Sequence, residues 1–267
     1  MSAAATPLAA SGAPEKLVLR FRNVDKTFGD RAVLRGFSLD VRRRERLFLI
    51  GTSGVGKSVA IRLLIGLGRP DAGELWFEDR RIDQLDEAGL VELRKRVGMV
   101  FQHSTLLDAM TLLDNVALPL RVHRGARDAD ARAEAAELLE AVQLGAWAAR
   151  FPAEVSDGMR KRAAIARALA MRPEVVLFDE PTTGLDPQSA RHVDALLRRL
   201  PETAQLTAVI VSHDLRSIQG VADRVALLYR GAVHALGTPA ELAASEDPIV
   251  AQFLAGRSQG PMETPGF

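Results

Sequence analysis

Gly51-Thr52-Ser53-Gly54-Val55-Gly56-Lys57-Ser58 is the segment whose residue spacing indicates the architecture of this chain most directly. It follows the short apolar run Leu47–Ile50 and opens into a helical pattern, Val59–Ile65. A strand, a glycine-rich loop and a helix in this order are typical of a phosphate-binding loop, because glycines let successive backbone N–H groups face one anion. We expect Lys57 to reach the β- and γ-phosphates of a nucleoside triphosphate and Ser58 to bind Mg²⁺.

The composition sets loose limits on domain count and partners. The 267 residues are 47% hydrophobic and 26% charged, which suits one domain or one domain with a subdomain. The 35 basic and 34 acidic residues give a net charge of +1, which does not support a nucleic-acid partner. Cysteine is absent, which excludes disulfides and thiol catalysis. No apolar run approaches membrane-spanning length, so we expect a cytoplasmic chain that meets a membrane through a partner.

The segments around the loop predict an α/β core with a helical insertion. Residues 1–16 are rich in Ala, Ser and Pro, and we expect a disordered tail there. Val175–Phe178 and Ala208–Val211 are hydrophobic without alternation, which is typical of parallel strands covered on both faces. Helical patterns fill residues 102–171. The other predicted elements are edge strands at Leu17–Val24 and Ala32–Val41, strands at Gly73–Phe77 and Val97–Phe101, a helix at Gln188–Leu200, a hairpin at Arg224–Gly237 and short helices over Thr238–Ala255.

Asp179 and Glu180, at the end of the Val175 strand, form the second candidate centre. A carboxylate at the carboxyl end of a parallel strand, with a phosphate loop on a neighbouring strand, lies where Mg²⁺ bound to a triphosphate is held. Asp179 suits that metal role. Glu180 is then placed to orient or deprotonate the attacking water.

Six ordered motifs resemble those of the ATP-binding cassette (ABC) ATPases and cover nearly all of the chain from Leu17 to Gly256. The phosphate loop and Val175–Glu180 resemble Walker A and Walker B, and Val155–Met159 resembles the signature motif of that family. In the same way, Gln102 resembles the Q-loop glutamine, Gly184–Asp186 the D-loop, His213 the switch histidine and Phe28 the aromatic residue that stacks on adenine.

The resemblance implies a P-loop NTPase (RecA-like) α/β core with an antiparallel β subdomain and a helical subdomain. It places the ABC ATPase domain at 17–245, the helical subdomain at about 103–171 and a C-terminal extension at 246–267. It also implies a homodimer in which the signature motif of each subunit grips the nucleotide bound by its partner. Two composite ATP sites would follow from the twofold symmetry.

The resemblance further assigns a role to each motif residue. The residues expected to be catalytic are Lys57, Glu180 and His213. Those expected to bind the metal are Ser58, Gln102 and Asp179. The residues expected to bind ATP are Phe28, Gly51, Ser53, Gly54, Val55, Gly56, Lys57, Ser58, Val59 and Gln102. Those expected to meet the partner's ATP are Ser156, Asp157, Gly158 and Met159, with Asp186 in the D-loop.

Asp157 departs from the family pattern, which has glycine at this position. A carboxylate near a γ-phosphate is repulsive, by about 1 kcal/mol or more depending on the local dielectric. Aspartate is also favoured in the first turn of a helix, where it can point away from the nucleotide and act as a cap. We expect an active enzyme, with a weakly hydrolysing regulatory subunit as the alternative.

Three stretches resemble the ATPases of Mla-type, MCE-associated lipid transporters. They are residues 101–121, the segment Gly158–Arg162 with Met159 in place of glutamine, and the tail that begins at Val250. We interpret Arg160–Arg162 as a solvated helix face and not as a lipid site. An ATPase for another cargo, such as an amino acid or a lipoprotein, would share every catalytic residue. A soluble ABC ATPase of DNA repair or translation is a further alternative, although this chain lacks the long coiled-coil insertion or second cassette of those proteins.

The Mla resemblance implies the partners and the location. Two copies of the chain would lie peripherally on the cytoplasmic side of the inner membrane, under an integral membrane permease. A periplasmic MCE lipid-binding ring and a small STAS-domain protein would complete the assembly. The cargo would be phospholipid moved between the inner and outer membranes.

Overall fold

The computed structural model describes residues 16–262, apart from the side chains of residues 201–204. The predicted tail, except for Lys16, and the last five residues of the predicted C-terminal extension lie outside the described residues. The strands are β1 (Leu17–Phe28), β2 (Arg31–Arg42), β3 (Arg46–Ile50), β4 (Ala72–Phe77), β5 (Arg80–Arg81), β6 (Val97–Val100), β7 (Val175–Asp179), β8 (Thr207–Val211), β9 (Arg224–Tyr229) and β10 (Ala232–Gly237). The helices are α1 (Lys57–Leu63), α2 (Glu87–Arg96), α3 (Leu112–Arg124), α4 (Asp128–Ala141), α5 (Asp157–Leu169), α6 (Pro187–Ala204), α7 (Leu215–Val221), α8 (Pro239–Ala243) and α9 (Pro248–Leu254).

The strand before the phosphate loop, β3, lies inside a six-stranded sheet of order β10-β9-β3-β8-β7-β6. All of its neighbouring pairs are parallel except β9 with β10. Every residue of β7 and β8 is buried, as their unbroken hydrophobicity predicts. Because the carboxyl ends of parallel strands meet at one edge, the loops that follow β3, β6, β7 and β8 lie together there.

A second, antiparallel sheet has the order β2-β1-β4-β5. β1 pairs with β2 on one side and with β4 on the other, where Leu19 lies opposite Phe77 and Phe21 opposite Leu75. The prediction of two edge strands is therefore right for β2 and wrong for β1. Alternating hydrophobicity shows which face of a strand is buried, but its neighbours depend on pairing with a segment about fifty residues away.

Helices α3, α4 and α5 lie between β6 and β7 in the chain and pack on one another. Their shared apolar cluster is built largely from leucine and alanine, and it includes Leu112, Val116, Leu120, Ala131, Ala135, Leu139, Ala163, Ala166 and Ala170. The small alanine side chains allow the helices to approach closely. Within residues 16–262, no helix combines the length and the apolar character that crossing a membrane requires.

An ion-pair network joins the two sheets near the amino ends of the parallel strands β3, β6 and β7. Arg43 pairs with Glu78 and with Glu174, and Arg96 pairs with the same two carboxylates. Glu78 follows β4 of the antiparallel sheet, whereas Glu174 precedes β7 of the parallel sheet. Burial opposes ionisation of Glu174, but hydrogen bonds from Arg96 and Arg43 outweigh it and lower the pKa of this carboxyl below 4.5.

Candidate functional site

The phosphate loop turns sharply between β3 and α1. Gly51 has φ +143°, and a Cβ there would lie 2.5 Å from the Leu228 carbonyl oxygen, so only glycine fits. Lys57 folds its side chain back over the loop, and Nζ donates to the carbonyl oxygens of Gly51 at 2.8 Å and Thr52 at 3.0 Å. These are replaceable contacts, because an anion held by the loop would offer the same ammonium stronger acceptors.

Burial lowers the pKa of the Lys57 ammonium from 10.5, and the nearby carboxylates of Glu180 and Asp179 oppose that shift. A buried cation beside an open loop is an energetic cost unless an anion accompanies it. The loop therefore suits a phosphate electrostatically as well as geometrically.

The metal residues predicted from sequence are only partly brought together. The Ser58 hydroxyl donates to Asp179 Oδ1 at 2.6 Å. The prediction that β3 and β7 are neighbouring strands is wrong, because β8 lies between them. The other Asp179 oxygen accepts from Arg62 Nη2 at 2.9 Å, one helical turn beyond Ser58. Asp179 is fully buried. Gln102 and Ser58 line one cleft, described below, but the structure shows no contact of Gln102 with Ser58 or Asp179.

These residues fit Mg²⁺ as it is usually bound. Mg²⁺ prefers oxygen ligands, and at nucleotide sites it keeps several waters and takes only one or two protein carboxylates beside phosphate oxygens. Ser58 and Asp179 offer a hydroxyl and a carboxylate at one point. Within the described part of the chain, no group of three or more His, Cys, Asp or Glu side chains forms a metal cage, so the nucleotide would have to complete the site.

Glu180 and His213 form the second half of the site. Glu180 Oε2 lies 2.8 Å from His213 Nδ1 and accepts a hydrogen bond from the Thr183 hydroxyl, also at 2.8 Å. The Glu180 backbone has φ +53°, a left-handed conformation that is uncommon for glutamate and is found at functional sites. Its own N–H donates to the Val211 carbonyl oxygen at the end of β8, which fixes this conformation.

A cleft of about 610 Å³ gathers the predicted residues of the phosphate loop with Gln102, Glu180 and His213. Its lining consists of Arg31, Val33, Gly51, Ser53, Gly54, Gly56, Lys57, Ser58, Val59, Gln102, Glu180, Thr183 and His213. Val55 lies in an adjoining cavity of about 370 Å³ instead. The Phe28 ring is 55% exposed at the end of β1, with Lys26 Nζ 5.3 Å from the ring centroid.

The four signature residues do not line this cleft. Ser156 is exposed and caps α5, where its hydroxyl accepts from the Met159 N–H at 3.4 Å. Asp157 is exposed and pairs with Arg160, so it is a first-turn residue of α5 and not the cap that the sequence suggested. A Cβ on Gly158 would lie 2.6 Å from Ser189 Oγ, so this glycine is also required for the packing of α5 on α6. Asp186 caps α6 through the N–H groups of residues 188 and 189.

Sequence reasoning missed several residues that the structure places at the site. Arg31 lines the cleft and donates to the Gly54 carbonyl oxygen at 3.2 Å. Thr183 and Arg62 contact Glu180 and Asp179 respectively. The available signal was helical spacing for Arg62, which lies four residues after Ser58 and so faces the same way.

The family model described as "ABC transporter" matches residues 34–183, more than half of the chain. The chain belongs to the ABC transporter family. It is an ABC-type ATPase subunit, as the resemblance implied. The ABC ATPase α/β fold predicted from sequence is confirmed.

Relatives of this ABC ATPase include transporters with two kinds of cargo. It is 43% identical over 248 residues to "Methionine import ATP-binding protein MetN" of Mesorhizobium japonicum. The aligned residues cover 92% of this chain and 68% of the relative. It is 38% identical over 245 residues to "Intermembrane phospholipid transport system ATP-binding protein MlaF" of Haemophilus influenzae, which covers 92% and 93%. The chain spans 60–68% of the length of the methionine import relatives that it matches.

A solved structure shares the fold of the ABC ATPase. It is the dimeric post-hydrolysis state of the ATP-binding cassette MJ0796 bound to ADP and Pi. The match has a TM-score of 0.76 at 32% identity, and covers 83% of this chain and 98% of that one. That cassette is a dimer and holds the products of ATP hydrolysis.

Proposed function

We propose that two copies of this chain hydrolyse ATP at two shared sites and so drive a membrane permease. The observation that carries the proposal is a division of the predicted residues within one chain. One cleft holds the phosphate loop, Glu180 and His213, while the exposed start of α5 at Ser156 does not line it. A head-to-tail pair would place Ser156 of each copy against the nucleotide of the other.

The contacts suggest a role for each side chain. Lys57 would leave its loop carbonyls and bind the β- and γ-phosphates. Glu180 would orient or deprotonate water, held by Thr183 and His213, and His213 would also donate toward the γ-phosphate. Ser58 and Asp179, with Gln102 nearby, would hold Mg²⁺, which when bound neutralises charge on the phosphates.

Steady-state hydrolysis and nucleotide-dependent dimerisation test this proposal together. Glu180→Gln should lower turnover at least about a hundredfold, the usual contribution of a general base, while ATP binding persists. The variant should elute as a dimer with ATP and Mg²⁺ and as a monomer without them. Glu246→Gln, an exposed change outside the cleft, is the matched control. Unchanged hydrolysis in the Glu180 variant, or no ATP-dependent dimer, would refute the proposal. A wild-type chain whose own hydrolysis does not exceed the background rate without protein would instead indicate a regulatory subunit.

The relatives support an amino acid as the cargo better than they support a phospholipid. The methionine import proteins are 41–46% identical to this chain, against 38% for the phospholipid transport protein. The permease recovered with an affinity-tagged chain tests this assignment. A permease that restores methionine uptake in a transport-deficient strain would support it.

Phospholipid transport is the second candidate, and one observation favours it. The relative from Haemophilus influenzae matches over 93% of its own length, a larger share than any methionine import relative named above. The Mla-like stretches of residues 101–121 and 158–162 agree with this candidate. Under it, the chain would lie on the cytoplasmic face of the inner membrane with a permease, an MCE lipid-binding ring and a STAS-domain protein. Recovery of an MCE protein with the affinity-tagged chain would support phospholipid as the cargo over an amino acid.

A further inference from the structure

The segment that follows β6, residues 102–105, is fastened to α5 by two basic side chains. Lys161 Nζ donates to the carbonyl oxygen of Gln102. Arg167 donates to the carbonyl oxygen and the hydroxyl of Thr105, both at 2.9 Å, and to the carbonyl oxygen of Ser104 at 3.5 Å. We call these contacts the 102–105 strap.

Lys161 is buried and Arg167 is half-buried, and neither lies beside a carboxylate partner in residues 16–262. Lys161 is only 5% exposed, and burial lowers the pKa of its ammonium, against the field of Asp157, Asp179 and Glu180. Burial also lowers the pKa of the Arg167 guanidinium. Within the described part of the chain, neither side chain forms an ion pair at contact distance. Main-chain carbonyl oxygens, together with the Thr105 hydroxyl for Arg167, therefore replace part of the hydration that these cations lose.

The strapped segment is also strained. Thr105 has φ +48°, and a β-branched residue rarely adopts this left-handed conformation. Such a conformation persists where surrounding contacts impose it, and here Arg167 holds both the carbonyl and the hydroxyl of this residue. Without the strap, residues 102–105 have reason to relax to another backbone arrangement.

The strap connects two functional parts of the chain. Gln102 lines the 610 Å³ cleft with Lys57, Ser58 and Glu180. Lys161 lies on α5, whose N-cap residue is Ser156. We propose that Lys161 and Arg167 are positioning residues that make Gln102 and Ser156 move as one body. If the dimer of the proposed function forms, nucleotide in one cleft then sets the orientation of the residue that meets the partner's nucleotide.

Hydrogen exchange in the Glu180→Gln background, which retains ATP, tests the strap. The strap variant is Lys161→Met with Arg167→Met, and the conservative variant is Lys161→Arg with Arg167→Lys. The matched control is Arg162→Met, because Arg162 lies on the same helix and donates to the carbonyl oxygens of Val142 and Gln143, away from the cleft. Exchange is followed at residues 51–60, 101–107 and 155–160, with and without ATP and Mg²⁺.

Without nucleotide, the strap variant should exchange about tenfold faster at 101–107, since hydrogen bonds from charged donors are among the stronger ones. With ATP, it should gain protection at 51–60 as the parent does but lose most of the parent's protection at 155–160. The Arg162 control should behave as the parent, and the conservative variant should recover most of the transmitted protection. If the double variant fails to fold, Lys161→Met alone is read by the same measurements.

Several results would overturn the proposal. The first is an exchange rate at 101–107 that does not change when the strap is removed, and the second is full ATP-dependent protection at 155–160 in a strap variant that binds ATP. The third is a loss of that protection in the Arg162 control equal to the loss in the strap variant. The fourth is a parent protein in which ATP does not change exchange at 155–160. Failure of the proposed function gives a different result. A wild-type chain that does not hydrolyse ATP, while the exchange pattern holds, would refute the motor and leave the strap standing.

Discussion

Replacing Asp157 with glycine restores the family pattern at the start of α5, and its effect follows from two opposed contributions. Asp157 stands in the first turn of the helix, is exposed, and pairs with Arg160. A negative charge at a helix N-terminus stabilises by about 0.3–1 kcal/mol, and an exposed ion pair by about 0–1 kcal/mol. Asp157→Gly should therefore lower the free energy of unfolding by about 1 kcal/mol and Tm by about 2–4 °C.

The same substitution should favour ATP if Ser156 of one copy meets the nucleotide of the other. A carboxylate about 8 Å from a phosphate charge, at an effective dielectric constant of about 40, repels it by about 1 kcal/mol. Relief of that repulsion corresponds to about a fivefold lower half-saturating ATP concentration. Arg160 already neutralises part of the charge in the native chain, so this value is an upper estimate.

Steady-state ATP hydrolysis as a function of ATP and salt measures this effect. Turnover of Asp157→Gly should equal or exceed that of the wild type, and its advantage should shrink as salt screens the charge. Asp157→Asn separates charge from backbone flexibility, because it removes only the charge. A folded glycine variant with turnover reduced tenfold or more would refute this reasoning and show that the aspartate is needed for hydrolysis.

Three further substitutions test other parts of the structure. Asn115→Ala removes a fully buried amide that donates to three carbonyl oxygens, so we expect about 2–4 kcal/mol less stability in urea unfolding. Phe28→Ala should raise the half-saturating ATP concentration about 2–10-fold through lost stacking, with little change in Tm because the ring is 55% exposed. Because Arg96 and Arg43 lower the pKa of Glu174 in the folded state, its contribution to stability is present above pH 4.5 and lost as pH falls through the folded pKa. Glu174→Gln should therefore flatten the fall of unfolding free energy below pH 4.5.

Local sequence determined the parts of the site that could be predicted. The glycine spacing of residues 51–58 specifies its own turn, and the unbroken hydrophobicity of β7 places Asp179 and Glu180 at a buried strand end. Local sequence does not show which strands and side chains distant in the chain lie next to one another. It does not show that β8 lies between β3 and β7, or that Arg62 takes one oxygen of Asp179.

Helix α5 shows why charged residues are harder to interpret than apolar ones. Arg160–Arg162 was expected to form a solvated face, yet each side chain donates to main-chain carbonyl oxygens of a different segment: Arg160 to residues 152 and 155, Lys161 to 102, and Arg162 to 142 and 143. The apolar surface of α5 is mostly alanine, which allows close packing but fixes orientation weakly. Long cationic side chains can both cover apolar surface and reach distant carbonyls. The cations of α5 therefore tie the helix to three different segments, and in the proposal above Lys161 is the one among them that links the orientation of Ser156 to Gln102.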